Sequence, residues 1–206
     1  MKIALVGHGS IGSRYSELLD DKNINKDDIF IVDNNLKALE KPKIKGFKCY
    51  ENILNLKEKG IKITHGIVAN WGPEHMSTAN QLIDLGCKRL IVEKPVSNSI
   101  KEFKKFKERC IKSNIFVGIH YRLHFLDIFP LIKQIELEEN LGKPVGARFF
   151  GGALCLSTNG VHFLDLACEI LDSSPNKVIS DLDVDFINPR DEKLAYIGGM
   201  ASYRME

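Results

Sequence analysis

A chain of 206 residues has room for one large domain, or for one domain and part of a second. Apolar residues make up 44% and charged residues 27%, the ordinary balance of a soluble globular protein. Lys and Arg number 29 against 27 Asp and Glu, and a net charge of +2 is too small a basic excess to mark a nucleic-acid or anionic-membrane surface.

Met1 leads directly into Ile3-Ala4-Leu5-Val6, which Gly7 ends, so the run is too short for a signal peptide or a membrane span. Cys49, Cys87, Cys110, Cys155 and Cys168 are odd in number and contain no Cys-x-x-Cys pair. That pattern fits free thiols in a reducing compartment, and the expected location is the cytoplasm. Short β-branched runs at 2–6, 28–32, 61–68, 88–92 and 115–119 alternate with amphipathic stretches, the pattern of a parallel sheet covered by helices. In the helical stretch 100–112, Ile100, Phe103, Phe106, Cys110 and Ile111 share one stripe. Lys101, Lys104, Lys105, Lys107 and Lys112 on the other side read as a solvated face.

After residue 120 the texture changes. A helix is expected over 123–140, a strand over 145–150, a Gly-rich turn, and a second helix over 160–171. Residues 178–187 then alternate, with Leu182, Val184 and Phe186 on one face and Asp181, Asp183 and Asp185 on the other. This predicts a half-buried antiparallel strand with one wet face. Asn188-Pro189-Arg190-Asp191 is a turn, and 193–205 is the returning strand. So small a sheet leaves an apolar face or a free edge for something else to cover.

Gly7-His8-Gly9-Ser10-Ile11-Gly12 follows the first strand and opens a helix over 11–19. In that context the glycines divide the work of a dinucleotide fingerprint: Gly7 turns tightly, Gly9 admits a pyrophosphate to the backbone, and Gly12 lets helix and strand touch. Ser10 and Ile11 begin the helix, whose free N–H groups and positive dipole end suit phosphate. Asp33 ends the second strand, 21 residues after Gly12. A carboxylate there accepts from adenosine ribose hydroxyls and repels a 2′-phosphate, which favours NAD over NADP. The alternative is a structural glycine turn with an N-capping Asp. The fold class expected is α/β: a Rossmann doubly wound parallel sheet over 1–120, then a partial α+β domain with a mostly antiparallel sheet over 121–206.

Lys94 lies just past the strand at 88–92, where open α/β sheets bind ligands, although a lysine before a turn proline can also be a plain surface residue. Together with the fingerprint, Asn70-Trp71-Gly72-Pro73-Glu74-His75, Glu93-Lys94-Pro95 and Gly160-Val161-His162-Phe163-Leu164-Asp165 occur in the order of the glucose–fructose oxidoreductase / inositol dehydrogenase-like (Gfo/Idh/MocA) family, which the chain resembles over nearly its whole length. Residues 117–124 resemble the family's crossover into its second domain.

The resemblance implies a dehydrogenase in which Lys94 hydrogen-bonds the reacting hydroxyl or carbonyl of a sugar-like substrate, beside a peptide to Pro95 that is often cis. An ammonium group suits a developing alkoxide in a site that excludes water. It implies that His162 exchanges the proton, its free pKa of about 6.5 suiting that task, with Asp165 orienting the ring. It implies cofactor contacts from Asn70, Trp71, His75 and Glu93, and a substrate pocket with Tyr121, Arg122, Thr158 and Asn159. Trp71 can equally be a core residue, and His162 a satisfied structural histidine.

Two departures stand out. Thr158 replaces the family's Asp four residues before His162, and the loop from Phe150 to His162 is short and Gly-rich, as in relatives tied to sugar and surface-polysaccharide metabolism. Family members also run on past this chain's last residue, which implies a shortened product or a partner completing the sheet. His120 and His124 have the spacing of a zinc helix but no third ligand, so no metal is expected.

The expected function is NAD-dependent hydride transfer to or from a sugar, cyclitol or nucleotide-linked sugar. Like copies would assemble through the second-domain sheet, with no nucleic acid or membrane as partner. The alternatives are a non-catalytic dinucleotide-binding module and a scaffold subunit that pairs through its open sheet.

Overall fold

The computed structural model describes residues 1–121, 123, 127–151, 155–187 and 195–206. They form two compact units, Met1–His120 and Tyr121–Glu206. In the first, six parallel strands line up in the order β3-β2-β1-β4-β5-β6. These are β1 (Ile3–Val6), β2 (Ile29–Val32), β3 (Lys48–Tyr50), β4 (His65–Val68), β5 (Arg89–Val92) and β6 (Phe116–Ile119). The covering helices are α1 (Ser10–Asp21), α2 (Leu36–Ile44), α3 (Ile53–Glu58), α4 (His75–Asp84) and α5 (Ile100–Lys112).

The continuous apolar runs have a direct cause. Successive strand residues point to opposite faces, and in β1 and β2 both faces are covered, whereas toward the β6 edge Ile91 and Phe116 are 40% and 70% exposed. Ala4, Val6, Phe30 and Val32 enter one core with Leu56 of α3, Leu82 of α4 and Phe106 of α5. Their chain neighbours Ile3, Leu5, Ile29 and Ile31 enter the other, with Leu19 of α1 and Leu39 of α2. Strand β3 gave no apolar signal because it is three residues long and only half-buried: Lys48-Cys49-Tyr50 is a strand by pairing with Phe30, Ile31 and Val32. The chain steps outward from β1 to β3, then returns to lay β4 against the other side of β1. The loops after β1 and β4 therefore diverge and open a crevice at the carboxyl ends of the strands.

The second unit contains α6 (Ile128–Glu138), a π turn (Leu156–Gly160), α7 (Val161–Leu171), β7 (Pro175–Ile187) and β8 (Ala195–Met205). The two strands form an antiparallel sheet. Three expectations need correction. Of the helix expected over 123–140, the described part is Ile128–Glu138, with 139 and 140 past its end and 124–126 outside the described residues. Residues 145–150 form no strand; Val145 is fully exposed, and no described segment pairs with this one to complete a ladder. The alternation in β7 does not bury one face, since Leu182 and Val184 are 50% and 64% exposed. The turn expected at 188–191 lies outside the described residues. No helix among the described residues is long and apolar enough to cross a membrane.

Candidate active site

The loop between β1 and α1 is built around what a side chain would strike. Gly7 has φ +89°, and a Cβ there would lie 2.4 Å from the backbone N and Cα of Asn70. At Gly12 a Cβ would fall 1.9 Å from the Gly7 carbonyl oxygen, so helix and turn touch without room for a methyl. At Gly9 the same atom would meet nothing within 4 Å, because the backbone there faces open space. Helices α2, α3 and α5 are capped by the side chains of Asn35, Asn52 and Ser99. Helix α1 has Gly9 as its N-cap, no capping side chain and no acidic residue in its first turn. Its leading N–H groups are thus left for an external acceptor.

A cleft of about 720 Å³ opens beside this loop, with Gly7, Gly9, Asp33, Glu51, Asn70, Trp71, Glu74 and Thr78 in its wall and, among the described residues, no Lys or Arg. Asp33 already accepts twice, from the His8 N–H at 2.6 Å and the Asn35 N–H at 2.7 Å. A carboxylate has about four acceptor positions, so it can brace the loop and still accept from a ribose. The His8 ring is buried, with Nδ1 3.0 Å from the Ala38 carbonyl oxygen and Nε2 2.9 Å from Ser16 Oγ. Asn70 donates to Glu74 and Thr78, while its Oδ1 is buried with no partner among the described residues. Trp71 is 63% exposed on the cleft wall and is not a core residue. A barely hindered helix terminus, an orphaned acceptor and a glycine cradle are the features a dinucleotide requires, and these residues fit one.

Past β5, Glu93 is buried and accepts from Tyr15 O–H at 2.8 Å and His120 Nδ1–H at 2.6 Å on one oxygen. Burial, and then the Glu93 carboxylate, push the Tyr15 phenol well above its ordinary range, so it stays a donor. Lys94 is half-buried and joined to Pro95 by a cis peptide. His75 is buried behind the cleft rather than in its wall, with Nδ1 2.8 Å from the Pro95 carbonyl oxygen and Nε2 3.0 Å from that of Asn70. It lies between the two loops, with one ring nitrogen facing a carbonyl of each.

The second unit carries His162, buried near the start of α7, with its ring edge-on to Tyr121 at 5.9 Å. Burial, and then the Asp165 charge, push the Tyr121 phenol up. Thr158 and Asn159 lie in the π turn that leads into α7. Arg122 and His124 lie outside the described residues, as do Gly152 and Ala153 of the short loop.

Tyr15 and Cys155 escaped the sequence reading, and His120 entered it only in the crossover segment and as a rejected zinc candidate. Tyr15 and His120 share Glu93, and the signal available was that His120 follows β6 as Glu93 follows β5. Cys155 sits at φ +28°. Burial pushes its thiol up, but hydrogen bonds involving Ser157, Thr158 and the backbone outweigh burial and bring it down to about 7.

The profile of the Gfo/Idh/MocA family, described as an oxidoreductase family with an NAD-binding Rossmann fold, matches residues 1–121. No curated protein matches the chain. Among solved structures, myo-inositol 2-dehydrogenase from Lactobacillus plantarum is similar over 100% of this chain and 66% of its own, with 18% identity and a TM-score of 0.76. An oxidoreductase from Agrobacterium radiobacter in complex with NAD+, L-tartaric acid and magnesium is similar over 93% and 60%, with 18% identity and a TM-score of 0.71. Scyllo-inositol dehydrogenase from Lactobacillus casei, with NAD(H) and scyllo-inositol bound, is similar over 87% and 58%, with 15% identity and a TM-score of 0.68. At these identities the likeness is one of fold, and the chain spans less than two thirds of the length of each.

Proposed function

The chain belongs to the Gfo/Idh/MocA oxidoreductase family, and from that premise we propose that it is an NAD-dependent dehydrogenase acting on the hydroxyl or carbonyl carbon of a sugar, cyclitol or nucleotide-linked sugar. The observation that carries this reading is the glycine cradle at the crevice, with Lys94 at the carboxyl end of the same sheet. Gly7, Gly9, Ser10, Ile11 and Gly12 would hold the pyrophosphate, Asp33 the adenosine ribose, and Asn70 and Trp71 the wall beyond it. Bound there, the dinucleotide supplies a carbon that accepts or returns hydride. Lys94 then hydrogen-bonds the reacting oxygen and steadies the charge that develops on it. In the second unit, His162 is the candidate to take and return the hydroxyl proton, with Asp165 and Tyr121 around it.

Asp33 and Glu51 in the wall, and the lack of any Lys or Arg there among the described residues, support NAD over NADP. Scyllo-inositol bound in one of the similar structures makes cyclitols the first substrates to try. Assembly of like copies is proposed through β7 and β8, where Val178, Leu182, Val184 and Tyr203 are exposed on one face. Thr158 favours a second reading, a dinucleotide-binding module without turnover, because a hydroxyl cannot carry the charge of the carboxylate usual at that position.

A screen of cyclitols, aldoses and nucleotide-linked sugars with NAD+, followed by NADH absorbance, tests the choice. Turnover that Lys94→Ala lowers by roughly 100- to 1000-fold, with NADH affinity retained, is the expected result. Undiminished turnover in Lys94→Ala removes Lys94 from the chemistry, and binding without turnover on any member of the panel selects the second reading.

A further inference from the structure

The carboxyl end of the parallel sheet holds a cluster that the glycine loop and Asp33 do not use. Glu93, the first residue past β5, is only 7% exposed. A buried carboxylate needs donors around it, and here two elements supply them to the same oxygen. One is the Tyr15 O–H on the second turn of α1, at 2.8 Å. The other is the Nδ1–H of His120, the first residue past β6, at 2.6 Å. The two donor rings meet at 60° with centroids 5.7 Å apart, so each limits the movement of the other. The main chain is fixed as well, since the Glu93 N–H donates to the Val68 carbonyl and the His120 N–H to that of Val92. Lys94 comes next, and then Pro95, whose carbonyl oxygen lies 2.8 Å from His75 Nδ1. Both chain neighbours of Lys94 are therefore tied down, one of them by a side-chain network of its own.

The strand order places this network. A dinucleotide laid across the point where β4 returns beside β1 has one half over β1, β2 and β3 and the other over β4, β5 and β6. Asp33 and Glu51 follow β2 and β3, which makes theirs the adenosine half. Glu93 and His120 end β5 and β6, in the half left for the nicotinamide. We propose that Tyr15 and His120 are positioning residues that act through Glu93 to hold the 93–95 segment against the nicotinamide half of the cofactor. The inference rests on the dinucleotide reading of the cleft. It also gives the fingerprint helix a second task, since the helix that offers its N-terminus to phosphate also carries Tyr15 to the far side of the site.

Calorimetry on the full chain with NADH and with ADP-ribose tests it, because ADP-ribose carries the adenosine and both phosphates but no nicotinamide. Tyr15→Phe and His120→Gln should each weaken NADH by about 10-fold, the cost of ordering on binding a segment that is no longer held beforehand. ADP-ribose affinity should stay within about twofold of wild type. In a Glu93→Ala background, adding Tyr15→Phe should change NADH affinity by less than about twofold, because the path through Glu93 is already gone.

Equal weakening of both ligands would mean a general structural role and overturn the proposal. Unchanged NADH binding in the single variants would overturn it too, as would a full additive loss in the Glu93→Ala background. Should His120→Gln fail to fold, Tyr15→Phe removes one hydroxyl only and decides alone. A wild-type chain that binds neither ligand removes the dinucleotide reading and this inference with it, whereas wild-type binding of both with unaffected variants removes only the positioning role.

Discussion

Asp33 carries two loads at once. Its oxygens brace the turn by accepting from the His8 and Asn35 N–H groups, and its charge faces the cleft where an adenosine ribose would lie. These separate only in part, because Asp33→Asn removes the charge but keeps just one of the two accepting oxygens and turns an NH2 donor toward the other N–H. The expected result is a preference for NADH over NADPH that narrows by about 10-fold, on the order of 1.4 kcal/mol, together with a lower Tm from the lost brace. An unchanged ratio in paired titrations would assign the discrimination elsewhere, with Glu51 the next residue to alter. At this scale the sequence was informative where a residue type sits at a fixed offset, as with Asp33 after the fingerprint or Lys94 before a proline. It was silent where the partner is distant: the Tyr15–Glu93 bond spans 78 positions and the His120–Glu93 bond spans 27. His75 shows the same limit, because the motif around it is legible but its bonds to the Pro95 and Asn70 carbonyls are not.

Helix α1 and the turn before it form the element on which the cofactor reading stands. Their contact is so close that Gly12→Ala would drive a methyl into the Gly7 carbonyl. That substitution should destabilise the first unit by about 3 kcal/mol, the upper range for overpacking, and should abolish NADH binding. A Gly12→Ala chain that melts and binds like wild type would show that the loop has slack, contrary to the account. Elements with both faces buried were plain in the sequence, since Ile3-Ala4-Leu5-Val6 and Ile29-Phe30-Ile31-Val32 feed two cores at once. Strand β3 was not, because an edge strand of three residues owes its form to its neighbour's backbone. Residues 145–150 mislead for the opposite reason. Their composition suits a strand, but without a paired neighbour composition does not make one.

The two units differ in how they are held. Both clusters of buried apolar side chains lie within Met1–His120. In Tyr121–Glu206 the buried positions among the described residues are Cys155, His162, Leu166 and Tyr196, while Leu137, Val145, Phe150, Val178 and Ile179 are largely exposed. A unit with so much apolar surface in water is expected to associate. Light scattering at rising concentration should therefore show self-association that Leu182→Lys weakens by placing a charge on the β7–β8 face; a strict monomer at high concentration would contradict that proposal. The central claim is that the crevice beside Gly7–Gly12 takes a dinucleotide without a 2′-phosphate. Calorimetric titration of the 206-residue chain with NADH and, separately, NADPH tests it most directly. The account predicts one site per chain, with NADH bound about 10-fold or more tightly than NADPH; no heat of binding with either would contradict it.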